Sequence, residues 1–531
     1  MSVDRISDFL PGGKRLTEAQ ISRRKLMQGA LATGALFAAG GVLRQGTAFA
    51  QATPVAEPFS GELAADQVMT LPITEPTTMD PGVSYGDSEL SILFNIFEGL
   101  VGIDQQTGEV VPRMAESWDI NEDASVYTFH MRQGATWSDG TPLTSQDFVY
   151  SWQRVLDPET LSQYIPALYP IKNAQNIAEN GGDISELGVA APDDATLVAT
   201  LEGPTPFFPL PPSTWTFYPV PKHVIDEKAE KWVEAGNLVS NGPFIMTEWS
   251  HNQQITVEQN PAYYGDKPTL TKATYRVYDD DTTQAYPAFE NNELDYAAPG
   301  GPDLERIMAD PTLAAQMITF PQSNTYFMCC DTTNSPTDQI PFRQALYKAI
   351  SRQTLSETIF KGEYGPASTV LAPDIPGNNP DSAMTESVDE AKKLLSDAGI
   401  DPASVSIELA YRNTSPHKTS SEYFQSAWQE NLGIQVKLVP IEDNAYSDWR
   451  AARETQKFYV YTGVWGSDFA DASNWFNQNF TTAADHYRTH WSNAEFDQLC
   501  DTAVVNTNID ERNQQYGQAE VILVNEASII P

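Results

Sequence analysis

Cysteine and long apolar runs are both scarce in this sequence of 531 residues. The three cysteines are Cys329, Cys330 and Cys500; two are adjacent and the third stands alone, so they indicate no disulfide framework. No stretch, the Gly- and Ala-rich segment near the N-terminus included, reaches the roughly 20 apolar residues that a membrane-spanning helix needs. Apolar residues make up 41% of the chain, which is enough for the cores of more than one domain.

Positive charge is also scarce. The chain has 32 Lys and Arg residues against 71 Asp and Glu residues, and its formal net charge is −39. Nucleic acids and anionic membrane surfaces both demand a basic face, so the composition argues against these partners. The acidity mildly favours cationic ligands, although solubility is the more common reason for an acidic surface.

Motifs for catalysis and for metal or cofactor binding are weak or missing. There is no P-loop and no GxGxxG. Gly82–Gly86 (GVSYG) matches the G-x-S-x-G of hydrolases, but a Pro/Asp turn stands where a nucleophile elbow needs a buried strand before Ser84. His486 and His490 have the spacing of a helical zinc pair without the HExxH glutamate, and Asp279–Asp281 lacks the glycine of an EF-hand loop. The sequence therefore predicts no catalytic residues, no metal and no cofactor.

The first 50 residues have the features of an export signal. Ser22–Met27 (SRRKLM) is a twin-arginine run, Gly29–Leu43 is weakly apolar, and Ala48–Ala50 is an A-x-A cleavage site. An uncleaved membrane anchor is the alternative, but the apolar run is short and rich in glycine. Removal of residues 1–50 leaves 25 positive against 68 negative residues, a net charge of −43. Residues 51–57 are then a flexible leader, and we expect the mature chain in the periplasm or on the outer face of the cytoplasmic membrane.

Strand and helix patterns alternate along the rest of the chain. QVMTLPI and VYTFHMR read as strands, whereas Ser88–Leu100 and SQDFVYSWQRVL read as helices. Ser387 and Glu390 form a capping box before a further helix, which Gly399 ends. The Pro-rich stretch Gly203–Pro221 is predicted to be an ordered connection. This alternation with reversals predicts an α/β fold of the mixed α+β kind.

One short segment, GVWGSDFADASNW at residues 463–475, places a carboxylate among aromatic rings. The apolar run before it ends at Ser467, Asp468 and Phe469. Desolvating a carboxylate in such surroundings is costly unless a cation meets it. A ligand can supply that cation. The alternatives for Asp468 are an internal salt bridge with a Lys or Arg, and an N-cap for a helix that starts near Asp471.

Six segments, in order over essentially the whole mature chain, resemble the family 5 extracellular solute-binding proteins of ABC importers. They are IFEGLVGIDQQTGEVVPRMAESWDINEDASVYTFHMRQGATWSDGTPLTSQDFVYSWQRVLDP, NGPFIMTEW, VEQNPAYYGDKPTLTKATYRVYDD, PFRQALYKAISRQTL, DEAKKLLSDAGI and FDQLCDTAVVNTNIDERNQQYGQAEVILVNEASIIP. Within this family, WSDGTPLTSQDFVYSWQRVLDPETLSQY is most similar to the periplasmic oligopeptide-binding proteins.

The resemblance implies a three-lobed, periplasmic-binding-protein-like fold that closes at a hinge around its ligand. Lobe I would comprise residues 58–97 and 222–321, lobe II residues 98–221, and lobe III residues 322–531. It also implies a monomeric receptor, not an enzyme, that encloses short peptides and delivers them to the membrane subunits of an ABC permease.

By the same resemblance, Asp468 takes the position that forms a salt bridge with the α-amino group of a peptide. Tyr164 corresponds to the tyrosine that closes over this N-terminus, and Tyr85 to the facing loop of lobe I. Trp465 corresponds to the strand whose backbone pairs with an extended peptide. The aromatic surroundings of Asp468 independently favour a cation beside its carboxylate, which agrees with binding of an α-amino group.

Alternatives stay open for the residues that bind the C-terminal end of the ligand and for the chemical class of the ligand. His417 and Arg453 correspond to residues that approach a C-terminal carboxylate; a surface His and a surface Arg are equally good interpretations. Thr462 stands where some peptide binders carry an additional arginine. Related family members bind oligosaccharides, opines or metal complexes, so another solute is the alternative, and a secreted hydrolase that uses Ser84 is a remote one. The resemblance also predicts a truncated C-terminus, because the family continues beyond Pro531.

Overall fold

The computed structural model describes residues 63–104, 108–279, 281–319, 322–442, 445, 449 and 459–531. The predicted export signal and leader lie outside these residues. The chain divides into two compact units and passes between them more than once. Unit 1 holds the chain up to Ile120, Val126–Glu202 and Pro212–Phe320, and unit 2 holds Asn121–Ser125, Gly203–Pro211 and Pro321–Pro531.

The described residues form strands and helices in alternation, which confirms the predicted mixed α/β class. The strands are β1 (Val68–Ile73), β2 (Val101–Ile103), β3 (Val110–Pro112), β4 (Ala115–Ile120), β5 (Val126–Met131), β6 (Val189–Asp193), β7 (Thr196–Thr200), β8 (Phe244–Ser250), β9 (Gln254–Gln259), β10 (Lys272–Val277), β11 (Asn324–Cys330), β12 (Ser406–Arg412), β13 (Gln435–Ile441), β14 (Val460–Gly466) and β15 (Ile529–Ile530). The longer helices are α1 (Asp87–Ile96), α2 (Ser145–Leu156), α3 (Ala174–Asn180), α4 (Lys222–Lys228), α5 (Asp281–Glu290), α6 (Gly301–Ala309), α7 (Ile340–Lys348), α8 (Val388–Asp397), α9 (Ser415–Leu432), α10 (Ala494–Val505) and α11 (Ile509–Glu526).

Unit 1 contains two four-stranded sheets and a short ribbon among its described residues. The first sheet has the order β1-β10-β9-β8, in which β1 and β10 are parallel and the other pairs are antiparallel. The second is antiparallel throughout, with the order β4-β5-β7-β6, and β2 pairs with β3. Trp137, Trp152 and Tyr127 are among its fully buried rings. Burial of apolar area on this scale is the main source of stability of such a core.

Unit 2 is built on one mixed sheet with the order β13-β12-β14-β11-β15. β12 is parallel to both β13 and β14, whereas β11 is antiparallel to β14 and β15. Trp428, Trp475, Tyr461 and Tyr516 are fully buried in its core. All three cysteines of the chain also lie buried here as free thiols, without a disulfide among them. This core supports β14, the strand that ends in the aromatic segment.

The cap of α8 confirms half of the predicted capping box. Ser387 Oγ accepts a hydrogen bond from the backbone N–H of Glu390 (3.2 Å). The reciprocal half is wrong, because Glu390 Oε2 instead accepts from Lys348 Nζ (2.9 Å) and the N–H of Ser387 donates to the carbonyl of Lys348. Gly399, with φ +69°, follows the end of the helix as predicted.

Helix α1 is shorter than its apolar spacing predicts. The pattern extends to Leu100, but the helix ends at Ile96, and Phe97 is already extended at φ −119° and ψ 161°. The N–H of Glu98 donates to Oδ1 of Asn241 (3.0 Å), a partner from a distant part of the chain. Tertiary hydrogen bonding therefore ends the helix before its apolar pattern does.

The Pro-rich stretch Gly203–Pro221 is ordered, as predicted. It contains the short turns Pro211–Ser213 and Trp215–Phe217, and the side chains of the second turn are buried. Its first part, Gly203–Pro211, belongs to unit 2, and the chain returns to unit 1 at Pro212. The stretch is thus one of the places where the chain passes between the units.

Candidate ligand-binding site

Asp468 lies half-buried on the loop that follows β14, and no cationic side chain of the described residues pairs with it. Its backbone N–H donates to Oδ1 of Asn474 (3.0 Å), and Nδ2 of Asn474 donates to Oδ2 of Asp468 (3.1 Å). No ion pair joins Asp468 to a described residue. Burial raises the pKa of the Asp468 carboxyl above its ordinary value, and the hydrogen bond from Asn474 only partly opposes this shift. This carboxylate can therefore accept a cation that does not come from the described part of the chain.

Asp471, three residues further on, is in the opposite situation. Its Oδ2 and Oδ1 accept hydrogen bonds from Nη1 (2.5 Å) and Nη2 (2.7 Å) of Arg512 on α11, and both side chains are almost fully buried. Oδ1 also accepts from the N–H of Ser473, so that Asp471 caps the short turn Ala472–Asn474. The two structural roles considered for Asp468, an internal salt bridge and an N-cap, are therefore both performed by Asp471.

Aromatic rings pack around this loop within unit 2. Phe469 stacks on Phe207 with ring centroids 6.0 Å apart and an interplanar angle of 13°. Trp465 meets His486 edge-on at 5.7 Å. The indole nitrogen of Trp465 is buried and has no hydrogen-bond partner among the described residues, a state that costs free energy until an acceptor meets it.

The strand that carries Trp465 leaves part of one edge without a neighbouring strand. β14 pairs with β11 from Val460 to Gly466. On its other side, β12 pairs only with Val460 and Tyr461. Gly463–Gly466 therefore have no second strand partner in the described part of the chain, although Tyr487 donates its hydroxyl to the carbonyl of Val464 (2.6 Å). A short strand edge without a neighbouring strand can pair with an extended peptide.

His417 is buried, so its interpretation as a surface residue is wrong. It is 4% exposed in the first turn of α9, and its ring lies 5.2 Å from that of Tyr326 on β11. Tyr326 pairs directly with Val464 of β14, so that His417 lies beside the same strands as Trp465. Thr462 is buried within β14. Arg453 lies outside the described residues, and its predicted role stays a prediction.

Tyr85 and Tyr164 both belong to unit 1, where a third residue joins them. Trp215 donates its indole N–H to the carbonyl of Ser84 (2.8 Å), next to Tyr85, and its ring meets that of Tyr164 edge-on at 4.9 Å. The Tyr85 side chain is 53% exposed. Trp215 thus links Tyr164 to the backbone next to Tyr85. The sequence analysis missed Trp215, whose only signal is its place in the Pro-rich stretch.

A partly buried ion pair holds the loop that presents Tyr85. Arg154 of α2 donates from Nη1 and Nη2 to Oδ1 (3.0 Å) and Oδ2 (2.6 Å) of Asp80. Asp80 Oδ1 also accepts from the backbone N–H of Gly82 (2.9 Å). The segment just before Tyr85 is therefore anchored at two points, by Arg154 at Asp80 and by Trp215 at Ser84.

The apparent catalytic and metal motifs have structural settings of other kinds. Ser84 lies in a turn between β1 and α1, not on a strand-to-helix elbow, and its hydroxyl donates to the carbonyl of Asp80 (2.8 Å). His486 and His490 are not on a helix, and His490 Nδ1 lies 3.4 Å from Asp331. Within the described ranges, no group of three or more His, Cys, Asp or Glu residues is arranged to hold a metal ion. No helix in the same ranges is both long and apolar enough to cross a bilayer.

Comparison with known sequences identifies the family. The model of bacterial extracellular solute-binding proteins, family 5 (middle region), matches residues 109–487. The "Probable deoxycholate-binding periplasmic protein YgiS" of Escherichia coli strain K12 is 33% identical over 467 residues, which are 86% of this chain and 86% of that protein. The periplasmic murein peptide-binding protein MppA of the same strain is 32% identical over 471 residues, 86% of this chain and 85% of its own length.

Solved structures of this kind of protein have the same fold. The unliganded open form of MppA, a periplasmic murein tripeptide binding protein, superposes with a TM-score of 0.76 at 31% identity, over 88% of this chain and 91% of that one. Haemophilus influenzae OppA in complex with RPPGFSPFR gives a TM-score of 0.71 at 27% identity, over 88% and 93% of the two chains. From the sequence matches and the shared fold together, the chain belongs to the bacterial extracellular solute-binding proteins of family 5.

Proposed function

We propose that this protein is an extracytoplasmic receptor of an ABC importer, which binds short peptides by their free α-amino group and delivers them to the permease. The contrast between two aspartates carries the proposal. Asp471 has its cation in Arg512, whereas Asp468 has no ion pair in the described part of the chain. An α-ammonium group supplies the missing charge and donates charge-assisted hydrogen bonds to a carboxylate.

The edge of β14 supports a peptide over a compact cation. Gly463–Gly466 lead directly to Ser467 and Asp468, so a chain that pairs with this edge can bring its terminal amine to the carboxylate. Main-chain hydrogen bonds along the edge give affinity, and the terminal charge gives orientation. The relatives MppA and OppA are named for murein peptide and oligopeptide binding, which is consistent with this ligand class.

We further propose the three-lobed division at the boundaries given above, with hinge closure around the ligand by a monomer. The sheets support this division, because each described sheet falls within one proposed lobe. The sheet of β1, β8, β9 and β10 falls in lobe I, the strands β2–β7 in lobe II, and the strands β11–β15 in lobe III. Tyr85, Tyr164 and Asp468 would then come one from each lobe.

Export by the twin-arginine route is part of the same proposal. Arg23 and Arg24 precede a weakly apolar segment and an A-x-A site in the sequence. Replacement of both by lysine keeps the charge but removes the paired arginines. We expect unprocessed protein to accumulate in the cytoplasm, whereas normal processing of this variant would assign export to another route.

Calorimetric titration tests the ligand class. The probes are a pool of tripeptides with free amines, its N-acetylated copy, and deoxycholate, the solute for which YgiS is named. The proteins are the native chain, Asp468→Asn, and Asp501→Asn, a control at an exposed position of α10.

The native protein is expected to bind the free pool and to reject the acetylated pool. Leaving a ligand ammonium without its carboxylate should cost on the order of 3–5 kcal/mol, so Asp468→Asn should lose at least roughly 10²–10³ in affinity. Asp501→Asn should behave like the native protein. Binding of deoxycholate without binding of either peptide pool would replace the peptide proposal by a steroid one, since that anion supplies no cation to Asp468.

A further inference from the structure

Asn474 is a fully buried amide whose side-chain atoms are all engaged. Its Oδ1 accepts the backbone N–H of Asp468, and its Nδ2 donates to Asp468 Oδ2 and to Oε1 of the exposed Gln478 (2.9 Å). A backbone N–H can only donate, so the oxygen of the amide must face it and the NH₂ group must face the carboxylate. The orientation of the amide is therefore fixed by the chain itself.

The backbone that carries Asn474 is anchored on the ion pair of the neighbouring aspartate. Asn474 ends the turn that Asp471 caps, and its N–H donates to the carbonyl of Asp471 (3.1 Å). Arg512 holds Asp471 in turn, and Asn479 donates from Nδ2 to the carbonyl of Asn474 (3.1 Å). The amide thus reaches Asp468 from a buried, cross-linked turn.

This arrangement engages only one oxygen of the Asp468 carboxylate. Oδ2 accepts from Asn474, whereas Oδ1 has no hydrogen bond to any described residue. We propose that Asn474 is a positioning residue for ligand binding: it holds Asp468 by one carboxylate oxygen and leaves the other to receive the cation of the ligand. The inference rests on the proposed function and assigns a second residue to the same site.

The choice of a neutral donor follows from electrostatics. A lysine or arginine at this position would neutralise Asp468, as Arg512 neutralises Asp471. It would then compete with the cation of the ligand. An amide donates a hydrogen bond and favours the ionised carboxylate without adding charge. Burial raises the pKa of Asp468, Asn474 lowers it, and no charged group contributes to the shift. The charged groups of the adjoining turn and of α11, Asp471 and Arg512, are paired with each other.

Two isosteric substitutions separate positioning from mere support of the fold. Asn474→Asp keeps an acceptor for the N–H of Asp468 but replaces the donor by a second acid. Gln478→Glu is the matched control, because it makes the same change of charge at the other partner of the same amide. Asn474→Ser, which is uncharged, serves if the acidic variant does not fold. Melting curves establish which variants are folded.

The measurements are the affinity for the free tripeptide pool between about pH 5 and pH 8, and the titration of Asp468 by carboxyl ¹³C NMR, assigned through Asp468→Asn. In Asn474→Asp, two acids share one site, so the Asp468 titration should move to higher pH. The ratio of the affinity at about pH 8 to that at about pH 5 should therefore be at least about tenfold larger than in the native protein. Asn474→Ser should lose roughly tenfold to hundredfold in affinity, as expected for a lost hydrogen bond to a charged group. Gln478→Glu should stay within about threefold of the native protein.

Folded Asn474 variants whose affinity and Asp468 titration match those of the native protein would overturn the inference. Failure of the proposed function is recognised separately, because the native protein would then bind neither tripeptide pool. In that case the NMR titration still decides whether Asn474 controls Asp468: a titration unchanged by Asn474→Asp rejects the inference, and a shifted one retains it for whichever cation the site binds.

Discussion

Asp468 and Asp471 lie three residues apart on one loop, yet their carboxylates are treated in opposite ways. Asp471 has two hydrogen bonds from a buried guanidinium and caps a turn, whereas Asp468 has one hydrogen bond from a neutral amide. The first arrangement is complete among the described residues, and the second is not. Proximity in sequence and identity of residue type therefore say little about role; what distinguishes the two is whether the described part of the chain supplies the partner.

The largest effect should come from breaking the complete pair. Arg512→Met removes the guanidinium and leaves Asp471 buried without a cation, which should reduce the free energy of unfolding by on the order of 3–5 kcal/mol. The exposed pairs of Arg306 with Glu290 and Asp303 provide the control, and Arg306→Met should cost less than about 1 kcal/mol. Denaturant titration measures both. Equal losses in the two variants would mean that burial does not distinguish these pairs.

A smaller effect should separate binding from stability in unit 1. Trp215→Phe keeps a ring against Tyr164 but removes the N–H that binds the carbonyl of Ser84, at a cost of about 1–2 kcal/mol in unfolding free energy. Trp249→Phe loses a comparable indole hydrogen bond, to the Glu75 carboxylate instead of the carbonyl of Ser84. Only the first should also weaken binding of the tripeptide pool, since it releases the loop of Tyr85. If both variants bind the pool like the native protein, the Tyr85 loop is not part of the site.

The smallest expected effect is that of replacing Asp468 itself. Because the folded protein raises the pKa of this carboxyl, the group favours folding most below its unfolded pKa, and this contribution is lost as pH rises through the folded pKa. Asp468→Asn has no such loss. Relative to the native protein, the variant should therefore gain unfolding free energy as the pH rises above about 4, the ordinary pKa of an aspartate, in denaturant titrations without ligand. A lower unfolding free energy in the variant than in the native protein would indicate a cation at Asp468 in the native protein.

Local pattern was sufficient for the elements and for the candidate loop, but not for long-range partners. The apolar alternation of VYTFHMR predicts β5, and the spacing of SQDFVYSWQRVL predicts α2. Asp468 stands out because a carboxylate follows a buried strand among aromatic residues. Its distinction from Asp471 depends on Arg512, which lies 41 positions further along the chain. No local rule connects the two.

The remaining differences have the same origin. Trp215 binds Ser84 across 131 positions, and Asn241 draws Glu98 out of the predicted helix across 143. The burial of His417 against Tyr326 depends on how α9 packs on β11. In each case a tertiary hydrogen bond or ring contact decides the outcome, and such contacts leave no periodic trace in the sequence.

If the protein binds peptides as proposed, the unpaired edge of β14 bears on the range of peptides that it accepts. Gly463 and Gly466 add no side chains to this edge, and every residue of a pairing chain except proline offers it the same N–H and C=O. A receptor that recognises its ligand in this way cannot refuse a peptide on account of most of its side chains. Selection then falls on the amine, on chain length and on proline content. A bacterium that feeds on mixed protein digests can be served by one such receptor instead of one for each sequence.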